Sequence, residues 1–142
     1  MDIRICIDVD DLERGIRFYT DGLGLTLARR LGDDWAELLG GSSPIDLLYN
    51  AAGTAPLGDA RAARRDYARH WTPVHLDFTV PDVDAAVERL LRAGATLERP
   101  ATDRTWGRIA GLADPFGHGL DVIEFRGRGY DALLHPASQP LS

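Results

Sequence analysis

His75 stands in an alternating run in which Val74, Leu76, Phe78 and Val80 are apolar and His75, Asp77 and Thr79 are polar. A period of two in β-favouring residues is the pattern of a strand with one buried face. An imidazole on the other face can ligate a metal or move a proton near neutral pH, or it can serve as a hydrogen-bonded packing residue. Carboxylates occupy comparable places. Asp46 faces away from Ile45 and Leu47, and Asp121 faces away from Leu120 and Val122. Arg4 and Cys6 lie on the polar side of the run Ile3, Ile5, Ile7, Val9. The single cysteine excludes an intrachain disulfide and a Cys-based metal cage, and is expected as a small buried apolar residue. His118 reads as a turn residue only.

Basic groups concentrate once. Arg61, Arg64, Arg65 and Arg69 fall within nine positions of a chain whose net charge is −6. They can form an anion-binding rim, or the solvated face of a short helix pairing with surface carboxylates, and the second is the expectation.

The elements that must position these groups come in two copies. Strand Ile3–Val9 leads to Asp11 as an N-cap. The stripe Leu12, Ile16, Tyr19, Leu23 then makes a helix closed by Gly22 and Gly24. Strands follow at Leu25–Arg30, Trp35–Leu39 and Pro44–Tyr49, antiparallel by their hairpin-like spacing. Strand Val74–Val80 ends at Pro81, and Asp82 caps a helix over Val83–Ala93 that stops at Gly94. Strand Thr96–Glu98, a loop through Pro100–Arg104, strand Arg108–Leu112, the turn Asp114–Gly117 and strand Leu120–Phe125 complete the copy. The interval of 71 residues from Val9 to Val80 is also that from Asp11 to Asp82 and from Trp35 to Trp106. A repeat of this length means two supersecondary units sharing one core. The fold class is α+β. A single domain over 1–142 divides into module one (1–49), a connector (50–73), module two (74–126) and a tail (127–142). Tyr130–Leu134 is expected as a last helical turn, with mobile residues after it.

Bulk properties narrow the function. With 44% hydrophobic and 27% charged residues the chain is not of disordered composition. Its acidic balance argues against a nucleic-acid partner. No apolar run approaches about 18 residues, and no basic-then-apolar leader opens the sequence. A soluble cytoplasmic protein with no membrane partner is expected.

Paired βαβββ units, with Asp10-Asp11-Leu12-Glu13-Arg14 leading to Phe18-Tyr19-Thr20-Asp21-Gly22-Leu23-Gly24-Leu25 and with Asp114-Pro115-Phe116-Gly117 before the last strand, resemble the vicinal oxygen chelate superfamily. That group includes glyoxalase I, extradiol dioxygenases and the bleomycin- and fosfomycin-resistance proteins. The resemblance implies curved mixed half-sheets around a cleft, with helices on the outer face. It also implies a divalent metal held by the first and last strands of each unit, at the positions of Arg4, Asp46, His75 and Asp121. A guanidinium has no lone pair to donate, so Arg4 cannot ligate. It is expected to pair with the aspartates, leaving His75, Asp46 and Asp121 as the set if any metal binds.

Two functions follow from the resemblance. The first is metal-independent binding of a small aromatic or hydrophobic molecule, of sequestration or resistance type, by a homodimer. Arg4, Asp46, His75 and Asp121 then lie on the cleft floor. Trp35, Trp71 and Trp106 stack on the ligand at its mouth, though Trp35 and Trp106 can instead be core or dimer-interface residues. The second is a lyase, isomerase or dioxygenase, with the metal above or with metal-free acid–base catalysis by His75 oriented by Asp121 or Asp46. No cofactor is expected in the first case.

Overall fold

The structure is a computed structural model and describes residues 1–58 and 63–134. Two mixed four-stranded sheets form. The first contains β1 (Ile5–Val9), β2 (Thr26–Arg30), β3 (Trp35–Leu39) and β4 (Ile45–Tyr49), in the order β1-β4-β3-β2. The second contains β5 (Leu76–Thr79), β6 (Thr96–Arg104), β7 (Gly107–Ala113) and β8 (Gly119–Phe125), in the order β5-β8-β7-β6. In each sheet the first and last strands pair in parallel and the others antiparallel. Helix α1 (Leu12–Leu23) follows β1 and α2 (Val83–Ala93) follows β5. The expected α+β architecture is thus observed, as two open sheets of the same topology.

Local signals explain the helices. Asp11 and Asp82 are extended residues whose carboxylates accept the backbone N–H of Arg14 and Ala85, each at 2.9 Å. Each cap satisfies an amide that the first helical turn leaves unpaired. Gly24 and Gly94 close the helices in the left-handed conformation, at φ 71° and 112°. Gly22 is not a stop. It lies inside α1, where a Cβ would come within 2.9 Å of a Leu90 methyl, so its bare backbone lets the two helices touch.

Burial follows the period. Val9, Leu38, Leu47, Leu90 and Val122 are fully buried, and Val9 and Leu47 sit directly under α1 at Gly15. Fully burying a side chain of that size contributes roughly 1.5–3 kcal/mol. The alternate residues of each strand therefore point to the face without helices, and that face carries the polar groups.

Three expectations are corrected. The segment 100–104 is not a loop: β6 runs nine residues, Thr96–Arg104. Pro100 is tolerated because β6 is the outer strand and its pairing slips between Arg99 and Thr102. Residues 63–73 form no helix, and Arg61 lies outside the described residues. This part of the connector is laid across module two. His70 N–H donates to Gly117 C=O at 3.2 Å, and a Cβ on Gly117 (φ 83°) would come within 2.1 Å of the Ala68 carbonyl. Cys6 is exposed rather than buried, because it points to the face that no helix covers. The expected helical turn appears as a 3-10 turn over Gly129–Leu133, and the expected mobile residues from 135 on lie outside the described residues.

Candidate functional site

Strand register assembles the helix-free face of the first sheet. Cys6 lies beside Asp46, Asp46 beside Glu37, and Glu37 beside Arg29. Arg4, just before β1, donates from Nε and Nη2 to the two Asp46 oxygens at 2.9 and 2.7 Å, and from Nη2 to Glu37 at 2.5 Å. Arg29 holds Glu37 from the other side at 2.8 and 3.1 Å. The Trp35 indole N–H donates to Asp46 at 3.0 Å. Asp46 and Glu37 are almost fully buried (1% and 5% exposed), so their charges depend on these partners. The Arg4 hydrogen bonds, aided by Trp35, hold the Asp46 carboxyl below its ordinary value against the opposing effect of burial. Arg29, then Arg4, does the same for Glu37.

The second sheet carries a different cluster. His75, just before β5, places Nε2 3.1 Å from Asp77. The ligating atoms of His75, Asp77 and Asp121 lie within 4.8 Å of one another. Asp121 is neighbour to Asp77 across the parallel pair and to Gly111 across the antiparallel one. Arg99 reaches over Gly111 to bind Asp121 at 2.5 Å. A Cβ on Gly111 would stand 2.5 Å from the Arg99 Nε, and one on Gly119 would stand 2.7 Å from an Arg69 nitrogen. Two glycines thus form a floor low enough for two guanidiniums to lie across it. Arg69 is anchored by Glu98 at 2.5 and 2.9 Å, and its hydrogen bonds hold the Glu98 carboxyl below the usual range.

Above that floor is a cavity of about 300 Å³ walled by Arg69, Trp71, His75, Arg99 and Asp121. Trp71 is 81% exposed, so its ring presents a free face. Trp106 packs with Phe125 and Tyr130, at centroid distances of 6.0 and 5.0 Å. Trp35 is tied to Asp46. The seven residues singled out in the sequence are therefore distributed: His75, Asp121 and Trp71 meet at this cavity, while Arg4, Asp46 and Trp35 meet on the first sheet. Trp106 joins an aromatic cluster. Glu37, Arg29 and Arg99 were not singled out. The charge of Glu37 between Ala36 and Leu38 was the available signal for it, but its two arginine partners depend on register.

The donors do not fit the divalent cation that the resemblance implies. Asp77 takes the place in the cluster that Asp46 was to fill, and Asp46 is held by Arg4 on both oxygens. A cation at His75, Asp77 and Asp121 would share Asp121 with the Arg99 guanidinium, which binds one of its oxygens, and like charges at that range repel. His118 is more than a turn residue. It places Nε2 2.8 Å from the Asp8 carbonyl of β1 and Nδ1 3.0 Å from His70, so it fastens connector, module two and module one together. Arg65 binds Asp8 at 2.8 Å, which gives Arg65 and Arg69 the carboxylate-pairing role expected of the basic stretch.

Fold and site together define a paired βαβββ protein with a polar helix-free face on each sheet. The chain belongs to the glyoxalase-like domain family, whose model matches residues 4–123, and with it to the vicinal oxygen chelate superfamily. It is 34% identical over 131 residues to the anthracycline biosynthesis protein DauV of Streptomyces sp. (strain C5), covering 91% of this chain and 42% of that protein. It is 40% identical over 87 residues to the anthracycline biosynthesis protein DnrV of Streptomyces peucetius, covering 61% of this chain and 29% of that protein. The chain thus spans less than half the length of these curated relatives. The fold is shared with the fosfomycin resistance protein FosX of Listeria monocytogenes, at TM-score 0.67 and 18% identity, over 93% of this chain and 96% of that one. Among the described residues no helix is long and apolar enough to cross a membrane.

Proposed function

We propose that this protein binds a small planar aromatic molecule with an acidic edge in the cavity over the second sheet, without a divalent metal. The cavity carries the proposal: one exposed indole, two guanidiniums and an imidazole converge on about 300 Å³, a volume suited to a small-molecule ligand. Trp71 supplies a stacking face. Arg99, which gives one nitrogen to Asp121 while its side chain stays 67% exposed, meets the acidic edge. Arg4 is less suited to that part because Asp46 and Glu37 already engage it. Relatives named for anthracycline biosynthesis support a flat polycyclic ligand. A homodimer belongs to the same proposal, supported by exposed Ile3 and Val74 and checked by light scattering, where a monomer mass contradicts it. The cytoplasm is the proposed location.

Calorimetric titration with anthraquinone-2-carboxylate and with benzoate tests the ligand class. Saturable binding that persists in chelator and weakens in Arg99→Gln is the expected result. A requirement for added divalent metal, or no binding of any aromatic acid, overturns it.

The His75–Asp77 contact favours a second reading. An imidazole held by a carboxylate is oriented to take a proton from a ligand O–H or acidic C–H. Asp77, rather than Asp46, is then the orienting group, with Asp121 beside it. Ligand turnover that is lost in His75→Gln while binding survives would establish the enzyme.

A further inference from the structure

The two sheets do not join. β1 pairs with β4 and β5 pairs with β8, so β1 and β5 are both sheet edges. Between them lies a second cavity of about 210 Å³, walled mainly by Ile5, Ile7, Tyr19, Leu76, Phe78 and Leu120. Ile5, Ile7, Leu76, Phe78 and Leu120 are on the opposite strand faces from Arg4 and His75, and Tyr19 comes from α1, so the space lies on the core side of the strands. His118, fixed to the Asp8 carbonyl, bounds it at one place. Thr72, His75, Gly119 and Leu120 line both this cavity and the polar one. The two are adjoining chambers: the first is lined mainly by polar groups, the second mainly by aliphatic and aromatic ones, with Asp8, Thr72, His75 and His118 at its border.

We infer that the space between the β1 and β5 edges is a subsite for an apolar arm of the ligand whose acidic ring lies in the Arg69–Arg99 chamber. The inference rests on the proposed function and extends it to a ligand class: an aromatic acid bearing an alkyl or acyl substituent. The occupant is apolar because the wall is. By volume alone, an apolar cavity of about 150 Å³ accepts a benzene-sized molecule. A void of about 210 Å³ therefore accepts a ring or a chain of about six carbons. The arm belongs to the same molecule because the two chambers adjoin, sharing Thr72, His75, Gly119 and Leu120 in their linings. An apolar arm here gains by leaving water and by filling a gap whose lining otherwise lacks contacts on one side.

Benzoate and its para-ethyl, para-butyl and para-hexyl derivatives, titrated calorimetrically against the wild-type protein, test this. Affinity is expected to rise about three- to fourfold per methylene up to butyl and to level off by hexyl, where the cavity is full. In Ile5→Phe, and separately in Val74→Trp at the mouth, the butyl-to-parent affinity ratio is expected to fall toward one. If all four acids bind wild type equally, the subsite is refuted and the polar chamber stands. If none binds, both fail. The wild-type series decides even where a variant does not fold, and an unchanged butyl-to-parent ratio in two folded variants also overturns the inference.

Discussion

Arg4 grips Asp46 with two nitrogens, Nε on Oδ2 at 2.9 Å and Nη2 on Oδ1 at 2.7 Å. The pair spans the parallel β1–β4 junction just ahead of β1, and the same Nη2 reaches Glu37 on the next strand. With Arg29 on the far side of Glu37, two exposed guanidiniums thereby balance two buried carboxylates. Arg4 thus stands at one of the positions where the resemblance implies a metal ligand, and it binds the carboxylate at another, Asp46.

This network sets the acid limit of stability. Folding lowers the carboxyl pKa of Asp46, chiefly through Arg4, and of Glu37, chiefly through Arg29. Groups depressed in the folded state stabilise it above the unfolded carboxyl values of about 4, and that contribution is lost as pH falls through the folded values below them. The urea midpoint is therefore expected to hold from pH 7 to about 5 and to fall below about 4. Glu37→Gln should have a lower midpoint at pH 7 and a shallower acid decline. Because Arg4 and Arg29 are 43% and 61% exposed, molar salt should weaken the pH 7 contribution. A decline as steep in the variant as in wild type contradicts the assignment.

Tyr19→Phe tests the link between modules. The phenol is fully buried and donates to Asp114 at 2.7 Å, 95 positions away in sequence. Burial, then the Asp114 charge, raises the phenol pKa well above its ordinary value, so the group stays a donor at working pH. Asp114 keeps its bonds from the Phe116 and His118 amides but loses one partner. A loss of about 1–3 kcal/mol is expected, a fall of about 3–10 °C in thermal melts. A melting change under a degree would show the bond to be incidental.

The tryptophans should separate. Trp71→Ala is expected to weaken ligand binding about two- to tenfold, the range for one aromatic stacking contact, with little change in melting because the ring is exposed. Trp106→Phe disturbs the cluster with Phe125 and Tyr130, so melting should fall while affinity holds. Trp35→Phe removes a donor that helps depress the folded Asp46 pKa, so it should lower stability at pH 7 and make the acid decline shallower. Equal effects of Trp71 and Trp106 on affinity would place the cavity wrongly.

The glycine floor gives a graded test. In Gly111→Ala and Gly119→Ala the added methyl meets the ends of the Arg99 and Arg69 side chains, which can move aside. The fold should persist, with affinity for an aromatic acid reduced several-fold as the guanidiniums lift. Gly107→Ala instead drives a methyl within 2.0 Å of the Glu124 carbonyl at φ 154°, and backbone cannot move aside as readily, so folding itself should suffer. Circular-dichroism melts with calorimetry distinguish the two outcomes. Unaltered affinity in both Gly111→Ala and Gly119→Ala would remove the arginines from the site.

Features encoded within a few residues were legible in the chain. Asp11 and Asp82 cap helices because their carboxylates reach an amide three positions on, and Val83–Ala93 and Trp35–Leu39 have the ends their residues predict. The repeat of 71 residues foretold two equivalent sheets. Period two placed Arg4, Asp46, His75 and Asp121 on the polar faces. Tertiary structure alone decided which charge meets which. Arg4–Glu37, Arg69–Glu98 and Arg99–Asp121 join positions 33, 29 and 22 apart, and each pair depends on strand register, a slip in the pairing of β6, or the path of the connector. A guanidinium on a long side chain reaches any carboxylate within several ångströms, so its partner is set by the packing of distant elements, not by neighbours in the chain. Local pattern could mark Asp46 and Asp121 as polar-face carboxylates, but only the packed sheets put Asp77 beside His75 and Asp121 and left Asp46 to Arg4.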